Sequence, residues 1–385
     1  MARKTLEFMS RGGVFDQEWG GFFRYATRRD WSEPHYEKML EDNAGLLRNL
    51  LALYRITGET SHAGVALRVI EYMEAKLRDR AGFFYGSQDA DEEFYQLPAA
   101  QRHKHAEPYI DRTCYTGWNA AAASAYLEAS WTLDRPHLRD AALATLDFAW
   151  QQSRQPSRGM YRFHDGSPGI LGLLGDQAYT ARALLDAHEV TGDALHLERA
   201  LELAGLLLDR FHDPENGGFF DTWDGNEKLG RLSERQKSVA ENAVCAEVFI
   251  RLHHLTREER YKEAAQGTLE AFVGVYPHLG YFAAAYARQV DTFLNPPAEI
   301  NVVGDAAEGR AAALHRAALA LDLPSRVVQV LHPQRDAARL EALFLPPQPA
   351  PAAYVCLGTM CSAPITTPDG LPEAVRQMQS AVRPS

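Results

Sequence analysis

The sequence predicts a mainly α-helical protein, an (α/α)6-type toroid of helical hairpins, with a small α/β appendage at its C-terminal end. Three observations predict this. Glycine–aromatic turns recur as GGFF (20–23), GFF (82–84), GMY (159–161), GGFF (217–220) and GYF (280–282). Their spacing of roughly 60 to 75 residues leaves room for two helices and their loops. Out of phase with them, an apolar helix end meets a short polar turn at YRITGET (54–60), SWTLDRP (130–136), HEVTGDA (188–194) and HHLTREE (253–259). Third, the texture changes near residue 292 to short β-rich runs.

In chain order, RKTLEFM reads as an outer helix without its inner partner. Inner helices are expected to start near residues 33, 116, 175, 239 and 281, rich in Ala and Leu around their circumference. WNAAAASAYLEAS and ENAVCAEVFIRLHH are examples. Each polar turn leads into an outer helix whose apolar residues recur at three- and four-residue spacing: 62–77, 138–152, 194–211 and 259–272. Gly58 and Gly192 suit helix C-caps. Long aromatic loops at only one end of each pair favour a closed ring over an open solenoid. Five inner candidates then imply a sixfold ring lacking its first inner helix. Residues 1–291 form the toroid in this reading. In residues 292–385, PPAEINVVGD, SRVVQVLHP and PAAYVCLG read as strands, with HRAALALD and DAARLEALF as helices between them.

Composition bounds the function. A net charge of −11 argues against nucleic acid and anionic membranes as partners. No run of about 18 apolar residues exists to cross a bilayer, and MARKTLEFMSRGG lacks the apolar stretch of a signal peptide. Four cysteines make no disulfide scaffold, so a cytoplasmic setting is expected. VCLGTMC places Cys356 and Cys361 five apart, which is not a CxxC motif and reads as a structural thiol pair. The histidines show no zinc spacing, and no metal or cofactor is expected.

In a ring of hairpins, the inner-helix starts and the glycine–aromatic loops converge on one funnel mouth. The candidate catalytic groups there are His35, Glu37, Asp42, Asp89, Asp91 and Asp176. The candidate binding groups are Arg24, Tyr25, Trp118, Asn119, Tyr179, Glu241 and Asn242. Carboxylates that can act as acid, base or nucleophile, together with aromatic faces for a pyranose ring, are what a sugar site needs. Plainer readings stand beside these. Asp176 in LGDQAY also reads as a helix cap, and DADEEFY (89–95) as a solvated loop. His35, placed after Pro34 at a helix start, serves equally as a base beside Glu37 or as a hydrogen-bonded strut.

GGVFDQEWGGFFRYATRRDWSEPHYEKMLEDNA closely resembles the signature of the thioredoxin-domain protein family related to spermatogenesis-associated protein 20. FYGSQDADEE, DRTCYTGWNAAAASA, GDQAYTARALLDAHEVTGD, NGGFFDT and AAYVCLGTMCSAP resemble its later blocks, in the same order. The resemblance implies a six-hairpin, glycosidase-like toroid following a thioredoxin-like domain. Neither that domain nor the first inner helix has a counterpart in these residues. This toroid is similar to those of sugar 2-epimerases and of six-hairpin hydrolases. The epimerases use inner-helix histidines, whereas the comparable start here reads AENAV. Two functions are expected to compete: a carbohydrate-active hydrolase or isomerase taking a small-molecule or oligosaccharide ligand, and a non-catalytic module serving a thioredoxin-like partner.

Overall fold

The computed structural model describes residues 1–223, 234–306, 308–346 and 348–382. The chain packs as two units, Met1–Ala183 and Leu184–Ser385.

In the first unit, α1 (Ala2–Arg11) precedes three short strands, β1 (Tyr25–Ala26), β2 (Pro34–His35) and β3 (Lys38–Met39). The first hairpin is α2 (Leu40–Thr57) and α3 (Thr60–Tyr72), the latter prolonged by a π-helical turn. A long excursion carries β4 (Ser87–Gln88), α4 (Glu92–Tyr95), α5 (Ala99–Arg102), β5 (Ile110–Asp111) and β6 (Cys114–Tyr115). The second hairpin is α6 (Thr116–Thr132) and α7 (Pro136–Gln152). After β7 (Arg154–Gln155), β8 (Gly159–His164) and β9 (Pro168–Leu171) comes α8 (Leu174–Thr191), which continues into the second unit. Within the first unit α2 packs on both α3 and α6, and α6 packs on α7. Thirteen residues of α6 are buried, as its Ala-rich circumference predicts.

The second unit holds α9 (Ala194–Arg210), α10 (Val239–Thr256), α11 (Glu259–Glu270) and α12 (Ala284–Leu294). Beyond them lie β10 (Ala298–Val303), α13 (Gly309–Leu319), β11 (Arg326–Leu331), α14 (Ala337–Ala342), β12 (Ala352–Leu357), β13 (Met360–Cys361) and α15 (Gly370–Val382). The sheet order is β11-β10-β12-β13, with β10 parallel to β11 and antiparallel to β12. β10 is buried along its whole length, Glu299 and Asn301 included, as befits a central strand.

The expected helix starts near 116, 175, 239 and 281 agree with the structure to within a few residues. The one near 33 does not, because α2 begins only at Leu40. Residues 34–39 are extended instead. Pro34 and His35 pair with β1, and Lys38 and Met39 pair with β4. His35 and Glu37 therefore precede the helix and do not open it.

The glycine–aromatic turns recur for a reason the structure makes plain. At four of the five, a buried amide side chain from the following inner helix grips one backbone residue from both sides. Asn43 accepts from the Phe22 N–H at 2.7 Å and donates to the Phe22 carbonyl at 3.0 Å and to Met39 at 2.9 Å. Asn119 treats Phe84 and Tyr115 likewise, at 2.7, 2.9 and 3.0 Å. Gln177 does so with Met160 and Leu173, at 2.7, 2.8 and 3.2 Å. Asn242 does so with Phe219 and Ser238, at 2.7, 2.9 and 2.9 Å. An amide alone carries both donor and acceptor in this geometry.

A second brace recurs twice. Lys38 Nζ bonds Asp16 at 2.7 Å and the Gly20 carbonyl at 2.8 Å. Lys237 Nζ bonds Asp213 at 2.7 Å and the Gly217 carbonyl. In both, the acid also collects two backbone N–H groups of its own turn. The tight approach requires glycine: at Gly20, with φ +78, a Cβ would stand 2.3 Å from the Arg68 carbonyl oxygen.

Candidate functional site

With the fold's own needs set apart, the acids of the first unit divide into two kinds. Some are committed to structure. Asp16, almost wholly buried, is shared by Lys38 and Arg102, whose charges outweigh its desolvation and hold its pKa below the usual value. Asp91 caps α4 by accepting from the Phe94 N–H at 2.8 Å. Asp89 is exposed and bonds the adjacent Ala90 N–H. Asp176, fully buried, accepts from the Gly117 N–H at 3.2 Å and from Arg162 at 3.3 Å.

Glu41 and Asp42 are of the other kind. They open α2 side by side, and among the described residues no hydrogen bond holds either carboxylate. Desolvation is the largest influence on each. It raises the Glu41 pKa, with Arg162 opposing. It pushes Asp42 up to about 6, helped by the charges of Glu41 and Glu37 and opposed by Arg24. A carboxyl with such a pKa holds its proton into mildly acidic solution.

The β1–β2 ladder sets the neighbouring wall. Tyr25 and His35 are register partners, and their rings stack at 5.0 Å with an 11° tilt. Arg24 pairs with Glu37 at 2.9 Å. His35 Nδ1, shut off from solvent without a hydrogen bond, stands 4.0 Å from the same carboxylate. A second wall comes from the start of α6 and from β8. Tyr115 and Trp118 lie 4.4 Å apart, and the Arg162 guanidinium sits 5.8 Å from each ring. Tyr115 is anchored by donating to Asp111 at 3.0 Å. Arg162 ties this wall to the acids, because its field reaches Glu41 while its side chain bonds Asp176.

The structure thus joins Arg24, Tyr25, His35, Glu37 and Asp42, and links Trp118 to Asp176 through Arg162. Asn119 and Asn242 have another task, since their amide hydrogens are spent on backbone grips. Tyr179 lies under the Arg182 guanidinium at 4.9 Å. Glu241 belongs to the second unit, half-buried in the first turn of α10. Sequence reasoning missed Glu41, Tyr115 and Arg162. The adjacent acids E-D before an amide were a visible signal for the first. Arg162 sits mid-strand in an aromatic run and gave none.

Glu7, Glu59 and His62 bring potential metal-ligating atoms within 4.8 Å of one another. Arg3 already bridges both carboxylates, at 2.8 and 2.6 Å. No described helix is long and apolar enough to cross a membrane.

Helix pairs whose inner members open beside glycine–aromatic loops belong to the (α/α)6-toroid fold class, which solved structures share. A sugar epimerase from a ruminal bacterium aligns with a TM-score of 0.57 at 18% identity, over 71% of this chain and 68% of its own. A family 76 glycoside hydrolase (mannosidase) from Bacteroides thetaiotaomicron aligns at 0.57 and 12%, over 76% and 80%. An inactive variant of an α-1,6-mannanase from Salegentibacter sp. HEL1_6, in complex with α-1,6-mannotriose, aligns at 0.54 and 16%, over 77% and 80%. By sequence, the chain is homologous over nearly its whole length to spermatogenesis-associated protein 20. It is 23% identical to the human protein over 96% of this chain, and 22% identical to the mouse protein over 98%. It spans 61% of the human relative's length. No protein-family model matches the chain.

Proposed function

We propose that the first unit carries a carbohydrate site, and that Glu41 and Asp42 are its acid–base pair in a glycoside-cleaving reaction. The observation that carries this is their availability: two consecutive carboxyls at an inner-helix start, with no hydrogen bond to either among the described residues, and with the Asp42 pKa pushed up to about 6. The α-1,6-mannanase among the structural neighbours is inactive when two consecutive aspartates are replaced by asparagine. Protonated Asp42 donates to the glycosidic oxygen while a neighbouring carboxyl group, Glu41 or Glu37, faces the developing positive charge. Tyr25 and Trp118 offer ring faces to the sugar, and Arg24 and Arg162 offer donors to its hydroxyls.

Hydrolysis is favoured over epimerisation because the histidines of the described inner helices, His188, His253 and His254, all lie near C-terminal ends. Residues 292–385 act in this reading as a packed appendage outside the site. A thermal-shift screen against linear and branched oligosaccharides tests binding. A ligand at a hundred times its Kd stabilises by about 2.7 kcal/mol. Product release is then followed with wild type, Glu41→Gln and Asp42→Asn. The reading requires binding by all three and cleavage by wild type alone. Cleavage that survives both substitutions refutes the assignment.

A further inference from the structure

Cys356 and Cys361 are joined by a disulfide across β12 and β13, where they are direct register partners. The expected thiol pair is therefore a bond. Its setting is unlike that of a stabilising crosslink. The two residues are only five apart, and the Leu357–Met360 pairing already closes the same turn. Loop-closure stabilisation is smallest for such short loops. The two sulfurs also differ in surroundings: Cys361 lies on the exposed edge strand, while Cys356 is 4% exposed.

Behind Cys356 runs a buried polar row across β10 and β11, on the same strand that buries Glu299, the register partner of Cys356. Gln329 Nε2 donates to Asn301 Oδ1 at 2.6 Å, and Asn301 Nδ2 points at Cys356 Sγ at 3.7 Å. Asn301 is fully buried, and Gln329 is 4% exposed. Two amides in a sheet core cost desolvation that aliphatic residues would avoid. The row ends on the sulfur, and a donor there favours a thiolate over a neutral disulfide sulfur.

We infer that the Cys356–Cys361 hairpin is a thiol–disulfide exchange site that accepts electrons from a dithiol. One thiolate of the dithiol attacks the accessible Cys361 Sγ, forming a mixed disulfide and breaking the Cys356–Cys361 bond. Cys356 leaves as the thiolate, received by the Asn301 N–H. The second thiol of the dithiol, deprotonated, then attacks its own mixed-disulfide sulfur and releases Cys361. The dithiol is oxidised to a disulfide, and two electrons and two protons end on the two cysteines. A leaving thiolate stabilised by a donor departs faster.

The test uses the full chain, native, in millimolar dithiothreitol, with thiols counted by maleimide labelling and mass. The remaining cysteines, Cys114 and Cys245, are buried, with thiol pKa values raised by desolvation, so native labelling reports this pair. No label before reduction and two labels after it, with helical content unchanged, are expected. Asn301→Leu and Gln329→Leu, each confirmed folded by circular dichroism, should slow reduction roughly ten-fold. Two labels before any reductant, resistance of the native bond until the chain unfolds, or wild-type rates in both folded variants would each overturn the inference.

Discussion

Replacing Asn119 by Leu keeps the side chain's approximate size and removes all three of its hydrogen bonds. The Tyr115 carbonyl, at the N-terminal end of α6, is within reach of an intrahelical partner. The N–H and carbonyl of Phe84 are not so placed, because Phe84 is fully buried and the amide of Asn119 grips both. Each orphaned buried group costs about 1–3 kcal/mol, so the loss for the two should total about 2–6 kcal/mol. For a cooperative unit of this size that lowers Tm by roughly 5 to 20 °C. Asn119→Asp is the sharper variant. The carboxylate can still accept from Phe84 but faces two carbonyl oxygens, at the positions now 2.9 and 3.0 Å from Nδ2. Its folded pKa must rise above the unfolded value, so its destabilisation is full above the folded pKa and shrinks as pH falls through it. Calorimetry across pH, with exposed Asp89→Asn as control, measures both effects. A loss below about 1 kcal/mol for the leucine variant, or an aspartate variant indifferent to pH, would refute the view that the grip holds the turn.

The two lysine braces allow a matched comparison. Lys38→Met leaves a buried Asp16 with Arg102 as its remaining ion-pair partner and should cost about 2–4 kcal/mol in urea unfolding. Lys237→Met removes a more exposed pair and should cost no more than about 1 kcal/mol. Equal losses would show that burial does not set the difference. Asp42 should behave opposite to a salt-bridged acid. Its pKa is raised to about 6, so its penalty is full above that value and disappears below the unfolded pKa. Asp42→Asn is therefore expected to raise Tm at about pH 8 and leave it unchanged near pH 3. A lower Tm at both values would show that the carboxylate supports the fold.

Much of the fold was legible because hairpins write themselves into sequence as period-3.6 runs with punctuation. The start of α2 was not, since the acids and Pro34 that suggested a helix N-terminus belong to two short ladders. Those ladders depend on partners at 25–26 and 87–88. The site was legible in part. Tyr25, His35, Glu37 and Asp42, which the structure brings together, stood out because polar residues crowd one helix entry. Asn119 and Asn242 were taken for ligand-binding groups, since nothing local distinguishes an amide gripping distant backbone from one facing a cavity. Arg162 depends on a strand register that brings it to Asp176, and the Cys356 setting depends on a cross-strand row. Both are tertiary facts.

The amide grips carry a further consequence for how such a chain can change. Each pins the start of a connecting segment to its end, yet the enclosed lengths differ widely. Phe22 and Asn43 are 21 residues apart, Phe84 and Asn119 are 35, Met160 and Gln177 are 17, and Phe219 and Asn242 are 23. The same three bonds close all four, so length is free where attachment is not. The segments behave as interchangeable cassettes on fixed sockets. One could be lengthened, shortened or replaced without asking the helices beneath it to move.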